Sequence, residues 1–357
     1  MLRERIARFL SAPAADSGAS ATDSFEELAL AAFAFQRERI APYRRLCEGR
    51  GATPRSVGSW REVPPVPAAA FRTLELAAEA PVETFRSSGT TADEARSVHR
   101  QPYPELYRRA IDASFPRFCL RELAPGARLP ILSLVPERAS APDSSLSFMA
   151  DHVLARWGAL ESATAFGARG VETAKARSWA AARQRDRKPA LVFATAFALA
   201  DWIAALERQD LRLRLPPGTV VFETGGFKGR TAELSRAALL ARLEERLAVP
   251  AAAVVREYGM TELSSQCYTE VLAGGDPDLF VAPPWVRVRA LDPATLAELP
   301  PGEPGLLAVF DLANLGSAVH VLTEDLGSLE GKGLRLLGRA AGAQLRGCSL
   351  TVEELRG

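Results

Sequence analysis

The 357-residue chain is poor in the residue types that build metal sites, disulfide frameworks and membrane spans. It has four cysteines, Cys47, Cys119, Cys267 and Cys348, and three histidines. No Cys-x-x-Cys pair occurs, which argues against a zinc site, and so few cysteines suit a reducing cytosol better than a disulfide scaffold. An excess of one charge sign is also lacking. Lys+Arg is 44 against 43 for Asp+Glu, a formal charge of +1, so no electrostatic footprint for nucleic acid exists. Lysine occurs only at 175, 188, 228 and 332, and the remaining 40 basic residues are scattered arginines. The longest largely apolar run, 189–200, stops at Asp201 and is too short to cross a bilayer. The first ten residues carry Arg3, Glu4, Arg5 and Arg8 with no apolar core behind them, so no secretory leader is expected and the expected location is the cytoplasm.

What is present reads as globular. Apolar residues make up 47% and charged residues 24%, which disfavours disorder, collagen and coiled coil. The length allows roughly two domains of about 150 residues and a core that needs no staples. Residues 1–50 read as helical, with an apolar stripe at Phe25, Leu28, Ala32 and Phe35. Val63-Pro64-Pro65-Val66-Pro67 forbids helix and predicts a linker or an extended crossing strand. From residue 85, apolar strands at 129–135, 190–194, 219–223 and 253–257 alternate with helices at 104–115, 145–157, 171–185, 197–208 and 232–247. That alternation predicts helices packed on a mostly parallel sheet. After Pro283, strand-like runs at 285–290, 306–312 and 334–337 predict a smaller β-rich subdomain. The expected class is therefore α/β, in segments 1–62 (helical), 63–282 (α/β core) and 283–357 (β-rich).

Four strings could carry chemistry. Phe85-Arg86-Ser87-Ser88-Gly89-Thr90-Thr91 is a hydroxyl-rich turn whose glycine lets backbone N–H groups converge, a concavity suited to polyphosphate, though no Walker A string exists. Arg256-Glu257-Tyr258-Gly259-Met260-Thr261-Glu262 overlaps a strand end, where open α/β sheets bind ligands. A tyrosine there can stack on a base, and a carboxylate can hold Mg²⁺ against phosphate oxygens. Phe222-Glu223-Thr224-Gly225-Gly226-Phe227-Lys228 also follows a strand, and paired glycines allow close approach to a planar ligand. Thr323-Glu324-Asp325-Leu326-Gly327, followed by Gly338-Arg339, places an aspartate in an expected loop, where it can accept hydrogen bonds from sugar hydroxyls. Each string taken alone also reads as ordinary turn chemistry.

Their succession resembles the adenylate-forming enzymes over about residues 85–348. Within that superfamily the chain resembles the LuxE-type acyl-protein synthetases, relatives of phenylacetate–CoA ligase. The carrying strings are Ser144-Ser145-Leu146-Ser147-Phe148-Met149, Thr224-Gly225-Gly226-Phe227-Lys228, and Gly338-Arg339 leading to Leu345-Arg346-Gly347-Cys348-Ser349-Leu350. The resemblance implies activation of a fatty or other organic acid with ATP and Mg²⁺, loading onto a C-terminal cysteine matched by Cys348, and delivery to a partner acyl reductase. It implies that Ser87, Ser88, Gly89, Thr90 and Thr91 hold phosphates. Gly225, Gly226, Tyr258, Gly259 and Met260 would surround adenine, Thr261 and Glu262 would act at the reaction centre with Glu262 on Mg²⁺, and Asp325 with Arg339 would lie at the ribose. A thiolate is the reactive form of cysteine, and Arg346 lies two residues from Cys348. Phe193, Phe197 and Met260 are candidates for an acyl lining and fit a core equally well. The three histidines, His99, His152 and His320, are expected to be structural, with His99 within reach of the phosphate turn.

The pattern departs from the family at two places. Ala92 stands where a glycine usually follows Ser-Ser-Gly-Thr-Thr, and no lysine follows it before Lys175, which leaves Arg86 or Arg96 as the cation. No lysine follows Arg339 and no separate C-terminal lid domain is expected, which favours protein acylation over CoA ligation. A carboxylate–CoA ligase and a non-catalytic nucleotide- or acyl-binding subunit remain the alternatives.

Overall fold

The computed structural model describes residues 1–11, 23–88, 96–225, 235–340, 352, 354 and 355. The chain groups into two compact units. One comprises Met1–Ser114, Met260–Cys267 and Val281–Gly357, the other Phe115–Gly259 and Tyr268–Phe280. The N-terminal helices thus share a unit with the C-terminal strands, across the segment boundaries drawn from sequence.

The second unit is built on parallel strands in the order Ala163–Thr164, Ile131–Leu134, Leu191–Thr195, Val220–Thr224, Val254–Tyr258. Ile131–Leu134 is buried at every position and Leu191–Thr195 at all but the last, which is why they read as unbroken apolar runs. The helices Thr173–Asp186, Ala196–Arg208 and Arg236–Leu247 bury Trp179, Trp202, Ile203, Leu239 and Leu243 against Val192, Val221 and Val254. The helix starts are fixed locally. Thr195 accepts from the Ala198 N–H at 3.1 Å and Ser235 from the Ala238 N–H at 3.2 Å, satisfying donors that the first turn leaves orphaned. An aromatic layer completes the unit. Phe193 and Phe222, direct cross-strand partners, stack at 4.2 Å and 18°, and Phe115 and Tyr268 lean on Phe222 at 5.7 and 6.4 Å.

In the first unit, Leu2–Ser11, Phe25–Arg39 and Ala41–Gly49 are helical, the second opened by a capping box between Ser24 and Glu27. The expected stripe is rotated slightly. Phe33 and Gln36 are buried beside Phe25, Leu28 and Ala32, while Phe35 is only half-buried. The proline-rich stretch is a crossing strand, because Val66–Pro67 pairs in parallel with His320–Glu330. The strands Val286–Leu291, Gly305–Asp311, His320–Glu330 and Gly333–Arg339 form an antiparallel meander. Asp325, expected in a loop, lies inside the eleven-residue strand His320–Glu330. The register of this strand shifts against both neighbours, so its local irregularity mimics turn chemistry in the sequence. Among the described residues no helix is long and apolar enough to cross a membrane.

Phe222 is fully buried and stacked on one side, so Phe222→Ala should lower unfolding free energy by about 3–5 kcal/mol. Urea denaturation measures this, and a loss under about 1 kcal/mol would show that the aromatic layer is loosely packed.

Candidate active site

The residues singled out from sequence fall in both units. In the first unit, Glu83–Arg86 and Val98–Gln101 form a hairpin with Phe85 opposite His99. Ser87 follows directly. Its N–H donates to Ser97 O at 3.0 Å, and its hydroxyl accepts the Ser97 N–H at 3.0 Å. Arg96 donates to the carbonyls of Ser87 and Arg86, so this side chain is engaged with the hairpin backbone. Ser88 is exposed. Gly89, Thr90 and Thr91 lie outside the described residues.

The segment Met260–Cys267 belongs to the same unit, and a buried polar network holds it. Thr261 is half-buried and Glu262 is 5% exposed. The Thr261 carbonyl receives His99 Nδ1 at 2.6 Å, and the Glu262 carbonyl receives Asn314 Nδ2 at 2.9 Å. Asp311 accepts the Ser264 N–H at 2.9 Å, the Ser265 hydroxyl at 2.7 Å and the Ala313 N–H at 3.0 Å. Burial pushes its carboxyl up to about 6, against the pull of those donors. Gln101 Nε2 reaches His99 Nε2 at 3.1 Å and the Ser264 hydroxyl. Burial pushes the His99 ring down to about 4, so at neutral pH it carries one proton, on Nδ1 facing the Thr261 carbonyl, and accepts at Nε2. His320 is likewise buried, with Nδ1 on the Val63 carbonyl at 2.7 Å.

Asp325 and Arg339 are brought together. They are opposite residues of the meander, with Nε 3.5 Å from the carboxylate and the arginine side chain 54% exposed. The Thr323 hydroxyl explains the Thr-x-Asp spacing. It donates to Leu307 O at 2.8 Å and accepts the Asp325 N–H at 3.1 Å, fixing the bulged backbone from which Asp325 projects.

In the second unit, Gly225 ends its strand at φ +73°, a conformation that favours glycine, with open space where a side chain would stand. Gly226, Phe227 and Lys228 lie outside the described residues. Tyr258 is buried edge-on to Phe280 at 6.2 Å, and Gly259 is exposed. Thr224 donates to Glu257, whose carboxyl burial pushes up to about 7. Phe193 is committed to the aromatic layer, while Met260 packs on the core of the first unit. Arg346 and Cys348 lie outside the described residues.

Sequence reasoning missed Gln101, Ser264, Asp311 and Asn314, and gave His99 no partner. Their partners are up to 213 residues away, so no local spacing signals them. Glu262, the carboxylate expected from sequence to hold Mg²⁺, is buried. Among the described residues no group of three or more His, Cys, Asp or Glu could hold a metal. Mg²⁺, however, commonly takes one or two carboxylates and completes its shell with phosphate oxygens and water.

The fold is shared with 2-hydroxyisobutyryl-CoA ligase, solved in an open conformation with 2-HIB-AMP and CoA. The TM-score is 0.64 at 15% identity, over 88% of this chain and 69% of that one. The postadenylation state of that ligase, with 2-HIB-AMP, matches at a TM-score of 0.63 and 16% identity, over 88% and 67%. At the level of sequence, residues 175–355 match the family described as acyl-protein synthetase, LuxE, and the chain belongs to that family. It is similar to the long-chain-fatty-acid–luciferin-component ligase of Vibrio harveyi, 32% identical over 79 residues, which is 20% of this chain and 21% of that protein. The ligase of the same name from Aliivibrio fischeri is 44% identical over 45 residues, 13% of this chain and 12% of its own. The matched stretches thus span about a fifth or less of these curated relatives.

A neutral buried His99 makes stability depend on pH. Its folded value of about 4 lies below the ordinary 6.5, so its contribution is complete above pH 6.5 and is lost as pH falls through that value toward 4. Within this window the unfolding free energy of the unmodified protein should fall more steeply than that of His99→Asn, by about 1.4 kcal/mol per pH unit. Parallel urea-unfolding profiles for the two proteins would refute a neutral ring.

Proposed function

We propose that this protein activates a long-chain carboxylic acid with ATP and carries the acyl group as a thioester on Cys348. The observation that carries this reading is the acyl-protein synthetase match over residues 175–355, a stretch that contains Tyr258, Glu262, Asp325, Arg339 and Cys348. Two features of the geometry support it. Asp325 sits beside Arg339 on a bulge braced by Thr323, an acceptor suited to ribose hydroxyls. The turn bearing Thr261 and Glu262 is braced by buried partners, as preorganised electrostatics require.

The chemistry runs in two steps. A carboxylate oxygen of the acid attacks the α-phosphorus of ATP; the bond to the bridging oxygen breaks, and pyrophosphate leaves with that electron pair. The resulting acyl-AMP is a mixed anhydride. The Cys348 thiol loses its proton to solvent or a base, and the thiolate attacks the acyl carbonyl. The carbonyl–oxygen bond to AMP then breaks, leaving acyl-cysteine and AMP. Ser87, Ser88, Gly89, Thr90 and Thr91 serve the phosphates, Gly225, Gly226, Tyr258, Gly259 and Met260 the adenine, and Asp325 with Arg339 the ribose. Glu262 would hold Mg²⁺, which when bound neutralises phosphate charge. Thr261 contributes its hydroxyl beside Glu262. The acyl-cysteine is the form handed to an acyl reductase partner.

Incubation with a labelled long-chain acid and ATP should leave a covalent adduct that thiols release. The adduct should vanish in Cys348→Ser, while acid-dependent pyrophosphate exchange persists. CoA-dependent AMP release that survives Cys348→Ala, without an adduct, would instead define a CoA ligase. ATP binding without exchange for any acid would define a non-catalytic subunit. Asp325→Ala should raise KM for ATP about 10–100-fold in the exchange assay, the size of a lost hydrogen bond to a charged group. An unchanged KM would remove Asp325 from the ribose.

A further inference from the structure

We infer that His99 is a positioning residue for adenylation, setting the turn that bears Thr261 and Glu262 through its Nδ1 bond to the Thr261 carbonyl. The inference rests on the adenylation reading and adds to it a residue that touches neither acid nor nucleotide. Thr261 and Glu262 occupy a turn outside helix and strand, and their backbone carbonyls are met by side chains brought from elsewhere in the unit. Asn314 binds the second of these carbonyls and donates also to Ala318 O at 2.7 Å, and its Oδ1 accepts from the Ser264 hydroxyl at 2.9 Å and from Gln101 at 3.3 Å. His99 binds the first, and its strand continues the hairpin in which Phe85 stands opposite it, two residues before Ser87. Gln101, on the same strand, reaches Ser264 and Asn314, and His99 ties the base of the hydroxyl-rich turn directly to the backbone of Thr261.

The ring has no freedom to do otherwise. Phe71 meets it edge-on at 5.6 Å and 86°, and Phe85 packs at 6.5 Å. Gln101 Nε2 occupies the ring's other nitrogen at 3.1 Å. The ring is fully buried, so a flip would put Cδ2 where Nδ1 stands and leave the Thr261 carbonyl unpaired, and the other tautomer would aim Nε2–H at the Gln101 amide donor. The arrangement holds Thr261 and Glu262 where charge develops, which is the role of groups that orient catalytic ligands from behind.

Two isosteric variants separate this role from simple core filling. Asparagine places its amide N–H near the position of Nδ1, and glutamine places its amide near that of Nε2. His99→Gln should lower kcat of acid-dependent pyrophosphate exchange about 10–100-fold with little change in KM for ATP, the loss typical of an orienting partner. His99→Asn should retain most of kcat, although both variants lose the ring's packing. Melting curves on the same samples establish that both are folded. Equal losses of kcat in the two variants, or a loss that follows melting temperature, would overturn the inference, as would no loss in either. Absence of exchange in the unmodified protein for every acid would instead overturn the adenylation reading and the inference with it.

Discussion

The first unit depends on the rule that a polar group taken out of water must find a partner. Asp311, Asn314, Gln101, Ser264 and His99 are all nearly inaccessible to solvent, and they hydrogen-bond one another and the segment Met260–Cys267. Gln36 adds bonds to the carbonyls of Asn314 and Leu315 and accepts the Val319 N–H, which brings the N-terminal helix Phe25–Arg39 into the same network. An apolar replacement at any of these positions would strand its partners, so the network specifies one backbone path where hydrophobic packing alone would tolerate several. The turn bearing Thr261 and Glu262 is held from behind by this network.

The second unit is governed by burial of a parallel sheet on both faces. Valines and leucines meet the helices on one side, and Phe193, Phe222, Phe115 and Tyr268 form the layer on the other. Polarity returns at the strand ends, where Thr224, Glu257 and Tyr258 lie before Gly225 and Gly259 respectively. Low-dielectric surroundings raise the Glu257 carboxyl to about 7, and the Thr224 hydroxyl partly offsets this by donating to it. Ionisable side chains thus gather toward the carboxyl ends of these strands, the end at which open α/β sheets bind ligands.

The meander solves a smaller problem. A regular strand would alternate its side chains strictly, and two register shifts in His320–Glu330 break that alternation. Thr323 absorbs the irregularity by binding Leu307 O and the Asp325 N–H. Asp325 is consequently half-buried against Arg339 rather than lost in the sheet, and Glu324 meets Arg72 at 3.2 Å. An acidic residue presented from a bulge is more rigidly held than one on a mobile loop.

The sequence by itself determined the elements and the class of fold. Short apolar runs such as 190–194 and 219–223, alternating with longer helical segments, read as buried strands of a parallel sheet, because run length and period are local properties. The order of the short polar strings also carried the resemblance to the family, because order along the chain is itself a property of the sequence. Tertiary structure alone decided what stands behind those strings. His99 and Thr261 are 162 residues apart, and Asp311 lies 47 from Ser264. Which buried polar group answers which carbonyl depends on how the chain crosses itself, and no periodicity encodes that. The same holds for Asp325, whose string reads as a turn until the neighbouring strands draw it into the sheet.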